Sequence, residues 1–449
     1  MLGGMGGDSA VSLTWTTEQV LALAPDAASA KAGRELATPR KWVSLGRDRQ
    51  SAWGLCQGSG KSPYQTQIDL GEPAFRCSCP SRKFPCKHSL GLFLLLAAQP
   101  EAFPEQTPPA WVTEWLEARA KRAEQRAAKS TRKEEPADPA AQERRAARRE
   151  SRVAAGLQEL DLWLCDLVRS GLASAQGKPP AFWEGIAARL VDAQAPGLAR
   201  LVRDLSSLPA SGTGWQERLL ERLSLIYLLI EGYRRIDTLP AETQADLRSL
   251  IGWTQSQETL LAEPGLSDHW AILGQRIEQE EHLRVQRTWL QGTESGRPAM
   301  ILHFAHGTAP LDTSLVPGTC FNGEVVFFPG AYPLRALIKS REGAAEPLQA
   351  MGPGQTIASA AEARAAALAR NPWISRFPVL LETVVPTYRE GTWVLRDTEG
   401  SLLPLHPRFD RGWQLLALSG GYPLALFGEW EEDHFLPLSA WADSVFLGL

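Results

Sequence analysis

The chain has 449 residues, 44% of them hydrophobic and 22% charged, with a net charge of −4 and a mean hydropathy of −0.21. That length and apolar content predict about two to four domains with cores of their own, and the overall charge excludes a typical nucleic-acid-binding composition. The charge is unevenly spread, because residues 1–152 carry 23 Lys and Arg against 17 Asp and Glu, so a basic N-terminal third precedes an acidic remainder.

The start, residues 1–12, is glycine-rich and expected to be disordered. It lacks the basic-then-apolar pattern of a signal peptide, and no run reaches the ~18 apolar residues of a membrane span, so no membrane is expected and the cytoplasm is the expected compartment. A helix is expected around Thr17 to Ala28 with Thr17 as its cap. Trp42 and Trp53 flank a short strand region. From Tyr64 to Arg76 two extended pieces surround a turn at Gly71 to Pro73. Ser89 to Ala98 is an apolar run that Gln99-Pro100 ends, and Pro85 suits the start of a helix there. Trp111 and Trp115 are expected to pack back and close an N-terminal domain, residues 1–116.

Residues 117–152 are Ala-, Arg- and Glu-rich, with a helix break at Glu134 to Pro139, and read as a charged linker, helical in places. Helical periodicity then runs from 153 to 283, through Leu157, Leu160, Leu164, Leu167, Leu198, Leu201, Leu205, Leu219, Leu223, Ile226, Ile230, Leu247 and Ile251. This predicts a bundle-like helical domain. From 284 to 449 the texture is strand and turn, and a β-rich C-terminal domain is expected, as sheet or small barrel. Met300–Phe304, Glu324–Phe328, Val379–Val385, Thr392–Arg396, Trp413–Leu418 and Leu424–Gly428 read as strands. Asn322-Gly323 and Gly420-Gly421 read as hairpin turns, and Ser359–Arg370 reads as a helix. The fold class is thus α+β and multidomain.

The densest chemical signal is Cys77-Ser78-Cys79-Pro80-Ser81-Arg82-Lys83-Phe84-Pro85-Cys86-Lys87-His88. Three thiols and one imidazole spaced C-x-C-x6-C-x-H are a complete tetrahedral set for Zn²⁺, and a closed shell of protein ligands marks a structural ion. Cys77 and Cys79 can share one face at a hairpin end. Cys86 and His88 fall at a helix N-terminus, whose positive end favours a thiolate. One zinc would staple hairpin to helix.

This pattern, with Trp53-Gly54-Leu55-Cys56-Gln57-Gly58-Ser59-Gly60-Lys61-Ser62-Pro63-Tyr64 before it, resembles the bacterial SWIM zinc finger family over about residues 40–100. The resemblance makes Cys77, Cys79, Cys86 and His88 the metal ligands. It implies a DNA-binding or protein-interaction module, with AAA+ ATPases and von Willebrand factor A-domain proteins as partners suggested by family gene neighbourhoods. Arg76, Arg82, Lys83 and Lys87 around the ligands could meet phosphates, or they could solvate the surface and balance the thiolates.

Other motifs carry less. Gly58-Ser59-Gly60-Lys61-Ser62 lacks the first glycine of a phosphate-binding loop and leads into extended chain rather than a helix. His303 and His306 have no further ligands beside them in sequence. Cys56 could approach the metal, although four ligands already suffice. The leading reading is a non-enzymatic zinc-binding adaptor for a protein or nucleic acid. The alternatives are a DNA-binding protein using the basic finger surface, and an enzyme with its site in the C-terminal half.

Overall fold

The computed structural model describes residues 15–449 apart from 59–61, 71–72, 82, 132–138, 281–282, 307–308, 310 and 443–444. The expected disorder of residues 1–12 and most of the expected helix break at Glu134 to Pro139 lie outside the described residues. Two helices open the fold, α1 (Thr17–Ala22) and α2 (Ala27–Leu36), where the sequence suggested one. Thr16, not Thr17, caps α1, accepting from the Gln19 N–H at 3.2 Å while the Gln19 side chain accepts from the Thr16 N–H at 3.0 Å. Pro25 disfavours helix at the residue before it, and Asp26 restarts the helix by accepting from the Ser29 N–H at 2.7 Å.

Strands β1 (Trp42–Arg47), β2 (Ser51–Cys56), β3 (Tyr64–Asp69) and β4 (Ala74–Cys77) form an antiparallel sheet in chain order, followed by α3 (Lys87–Ala98). Leu90, Leu92, Phe93 and Leu95 of α3 are all fully buried. Every residue from His88 to Leu96 is buried, and nine consecutive residues at about 3.6 per turn go round the whole helix, so it needs cover on every side. The sheet, α1 and α2 supply most of it, in a core shared with Trp15, Val20, Ile68 and Phe75. At Gly91 an added Cβ would lie 2.6 Å from the Leu36 Cβ, so the glycine sets the close approach of α2 and α3. The last contributor to this core is Val316, from far along the chain.

Helix α4 (Ala110–Thr131) buries Trp115 and is tied to the sheet near its start by two polar contacts. The Trp111 carbonyl accepts from Gln67 at 3.2 Å, and Arg119 pairs with Asp69 at 3.1 Å. The segment expected to be a linker is therefore largely helical backbone, anchored to the sheet at its start and continuing into α5 (Pro139–Arg169) at its end. Helices α5, α6 (Pro180–Asp192), α7 (Pro196–Leu205), α8 (Trp215–Arg234) and α9 (Ala241–Ile251) enclose one core containing Leu160, Ile186, Val202, Leu219 and Ile230. A short α10 (Gln257–Ala262) follows.

Helix ends there, not at 283 as the sequence suggested. Residues Leu266–Glu280 and Leu283–Gly292 are strands β5 and β6. They join β7 (Pro298–His306), β8 (Thr319–Phe327) and β9 (Arg335–Pro347) in a closed barrel ordered β5-β6-β7-β9-β8. Asn322 and Gly323 are not a turn. They lie inside β8, paired with β5 on one side and β9 on the other. A Cβ at Gly323 would come within 2.3 Å of the Ser340 carbonyl oxygen, so glycine serves strand proximity here.

After α11 (Ile357–Arg370) come β10 (Phe377–Arg389), β11 (Thr392–Arg396), β12 (Leu402–Pro404), α12 (Gly412–Ser419), β13 (Leu424–Glu431), β14 (His434–Ala442) and β15 (Val445–Gly448). These strands form a six-stranded sheet ordered β12-β11-β10-β13-β14-β15. The expected strand at Trp413–Leu418 is the helix α12, and Gly420 ends it in the left-handed conformation at φ 57°. Among the described residues, no helix is long and apolar enough to cross a membrane.

Barrel and sheet are joined by a buried charge cluster. Glu429 of β13 is fully buried and accepts from Arg287 of β6 and from the Trp289 indole, the latter at 2.7 Å. Glu278 bridges Arg287 at 3.1 Å, Arg376 at 3.3 Å and Arg276 at 3.0 Å, and Arg376 reaches Glu431 at 3.1 Å. Burial alone would raise the Glu278 pKa, but Arg376 and Arg287 outweigh it and hold the carboxyl at about 2.

Glu429→Ala should lower the unfolding free energy by ~1–3 kcal/mol in urea titrations, because it removes the buried carboxylate that Arg287 and the Trp289 indole share and leaves Arg287 only its Glu278 contact, and a paired Arg287→Met/Glu429→Leu change should recover part of that loss. Glu278 titrates near 4.5 when unfolded and about 2 when folded. Its stabilising contribution is therefore complete above about pH 4.5 and lost as pH falls towards 2. Glu278→Gln should flatten that limb of a stability-versus-pH curve.

Candidate metal centre

The two-residue alternation of β4 delivers Cys77 at the strand end, and the chain turns so that Cys79 follows beside it. Cys86 is the N-cap of α3 and His88 is the second residue of that helix. The four ligand atoms all lie within 4.8 Å of one another. His88 Nδ1 is 3.8 Å from Cys77 Sγ and 4.0 Å from Cys86 Sγ. A tetrahedral zinc shell with bonds of ~2.0–2.3 Å spaces neighbouring ligand atoms roughly 3.5–3.8 Å apart. The donor set and its spacing therefore fit zinc, with a slight inward contraction of the ligands.

Polar groups surround the ligands. Thr66 Oγ1 sits 3.2 Å from Cys77 Sγ, and the Ser89 N–H donates to Cys86 Sγ at 3.4 Å. The Tyr64 ring lies 4.9 Å from the His88 ring, centroid to centroid. Hydrogen bonds from Cys77, His88 and Ser89 outweigh burial and bring the Cys86 thiol down to about 3, while the same Cys77–Cys86 contact pushes Cys77 up. One thiolate is thus already favoured at the helix start, where the backbone N–H groups point at it. Burial raises the Cys79 thiol. Cys56 is buried outside the ligand group, 3.9 Å from the Gln57 carbonyl, and burial raises its thiol as well.

The basic residues do not act as one set. Arg76 and Lys87 are exposed beside Cys77 and Cys86. Lys83 is instead committed to Asp26, at 2.7 Å, which ties the ligand loop to the cap of α2. That hydrogen bond, with those from Ser29, holds the Asp26 carboxyl at about 2. Arg82 lies outside the described residues. His303 serves the backbone, accepting from the Asp312 N–H at 3.1 Å through Nδ1.

Sequence reasoning missed the barrel's contribution to this unit. Thr313 Oγ1 donates to the Pro73 carbonyl at 2.7 Å, across 240 residues of chain. Gln19 Nε2 donates to the Gly318 carbonyl at 3.0 Å. Between them Val316 is fully buried in the core of α3 and the sheet. No local pattern announces a contact of that separation.

A hairpin end and a helix start converging three thiols and an imidazole define a Cys3His zinc finger. Family models agree, the SWIM zinc finger matching residues 64–97 and the SWIM-associated four-helix bundle domain matching residues 148–251. The chain thus carries a SWIM zinc finger followed by its associated bundle. Neither match reaches the barrel or the six-stranded sheet. No curated protein and no solved structure matches the chain.

Cys86→Ser in the full chain should abolish stoichiometric zinc measured by mass spectrometry of the native protein. Stripping the metal with a chelator should accelerate amide exchange not only across β3, β4 and α3 but also at residues 313–318, because the two segments share one core.

Proposed function

We propose that this protein is a non-enzymatic interaction protein whose finger is held by a single structural zinc and whose finger surface engages a protein partner. The observation that carries this reading is the closed ligand set: Cys77, Cys79, Cys86 and His88 fill four positions and leave none for substrate. Zinc would supply cross-linking of β4 to α3 and nothing chemical beyond it. The chain's own residues do the rest. Ser89 and Thr66 orient the sulfurs, Lys83 fastens the ligand loop to α2, and Thr313 fastens the β3–β4 turn to the barrel. A finger held this way presents a fixed surface rather than a hinged one.

The non-enzymatic reading is supported by how the C-terminal charges are used. Glu278, Arg287, Arg376, Glu429 and Glu431 converge, but they satisfy one another at the joint between barrel and sheet. His406, which burial and Arg408 hold down to about 4, stays neutral beside them at pH 7. The protein-partner reading gains support from the commitment of Lys83 to Asp26 and from Phe84, 41% exposed between Cys79 and Cys86. A DNA reading retains Arg76 and Lys87 as exposed cations on the same loop.

Titrating the intact zinc-loaded protein with duplex and single-stranded DNA at two salt concentrations separates the two. The protein-partner reading expects no saturable binding at moderate salt. Binding that weakens steeply with salt, and that Arg76→Glu/Lys87→Glu abolishes, would replace it with the DNA reading.

A further inference from the structure

Three aromatic residues at and after the end of β8 each carry an arginine. The Arg297 guanidinium lies 4.8 Å from the Phe327 ring centroid, that of Arg335 4.3 Å from Phe328, and that of Arg370 5.8 Å from Tyr332. Among the described residues, none of these three arginines has a carboxylate partner. Arg335 is half-buried and pairs across the strand ends with Phe328, whose N–H donates to the Arg335 carbonyl at 2.9 Å. Burial and the like charge of Arg200 on α7 both work against its protonated form. The rings hold these cations in place, but a ring face neutralises much less charge than a carboxylate does.

Arg335 lines a cavity of about 230 Å³ where three units meet. Asp246 and Ser249 come from α9, Met300 and Phe328 from the barrel, and Ser375 from the segment between α11 and β10. The one acid in the lining is already occupied. Asp246 Oδ2 accepts from the Ala331 N–H at 2.8 Å, and a Cβ at Gly330 would come within 2.5 Å of its Oδ1, so glycine there lets the carboxylate rest on the loop. Burial raises the Asp246 pKa, against the lowering effect of the Ala331 N–H. Arg376, also in the lining, is taken up by Glu278 and Glu431. Among the described residues Arg335 has no carboxylate partner, and its guanidinium stacks on Phe328 in the lining of a cavity that Ser249 and Ser375 also line.

We propose that this junction cavity binds an oxyanion, the phosphoryl or carboxylate group of a small molecule, with the Arg335 guanidinium as its main ligand and the field of Arg200, Arg297 and Arg370 drawing it in. Cavities between domains are the usual place for such ligands, and this volume suits a small molecule rather than a duplex. Planar two-pronged recognition of phosphate or carboxylate is what an arginine fork provides. A bound anion would touch the bundle, the barrel and the segment leading into the six-stranded sheet at once. The same arginine is a burden on the fold while the cavity lacks an anion.

That tension gives the test. Isothermal titration of the full chain with pyrophosphate and with malonate, at fixed ionic strength, should show saturable binding of at least one. Arg335→Met should weaken that binding at least tenfold, and Arg335→Lys should retain part of it. Without ligand, Arg335→Met should melt about a few degrees higher than the parent, since it removes an unpaired, half-buried charge. Preference for pyrophosphate would assign a phosphoryl ligand, and preference for malonate a carboxylate. Failure of both probes to saturate the parent, equal affinity in Arg335→Met, or a variant that melts lower or does not fold would overturn the proposal, the last by making Arg335 a structural residue.

Discussion

Helix α3 is apolar around its whole circumference, and the architecture of the N-terminal half follows from the need to cover it. An amphipathic helix needs one packed face, whereas this one needs several at once. The four-stranded sheet covers one side, α1 and α2 cover others, and a loop of the barrel supplies Val316. The same helix is capped by Cys86, so the wrapping that buries its leucines also fixes where two of the four candidate ligands stand. Hydrophobic burial is non-directional and sets no register by itself. The ligand set adds the missing direction, because thiols and imidazole meet only if the end of β4 and the start of α3 meet.

The rest of the molecule is held by a few specific contacts between units. The bundle meets the C-terminal half where Asp246 rests on the Gly330–Ala331 backbone, where the Trp373 indole donates to the Leu225 carbonyl at 3.0 Å, and where Arg222 pairs with Glu432 at 2.6 Å. Barrel and sheet meet through apolar packing, in which Gly274 leaves room for Phe427 and Leu438, and through the Arg287–Glu429 pair at its edge. Buried pairs of this kind fix which surfaces match more than they add net stability.

What could be read from the sequence was what is encoded locally. The cluster of Cys77, Cys79, Cys86 and His88 and the helix after it were legible because their chemistry falls within twelve consecutive residues, and the bundle helices because their leucines repeat at helical spacing. The strand β5 was misread for a physical reason. Trp270 and Ile272 face the barrel core while Ala271 and Leu273 face the sheet, so both sides are buried and no alternation survives. Its charged end, Glu278 to Glu280, then imitates a helix. Asn322-Gly323 has the residues of a tight turn, but β8 uses the glycine for close strand approach. Trp413–Leu418 is a short apolar run that periodicity cannot assign, and its packing on Trp393 decides for helix. Thr313 and Val316 carry no local sign of their role at the finger.

The Val316 contact also bears on how the chain is made. Ribosomes extend a polypeptide from its N-terminus at ~5–20 residues per second, so the barrel loop emerges roughly ten to forty seconds after α3. Throughout that interval the leucines of α3 have an incomplete cover, and the three ligand cysteines sit in a unit whose last core residue does not yet exist. Early capture of the metal during translation would hold β4 against α3 until the barrel arrives to seal the remaining gap.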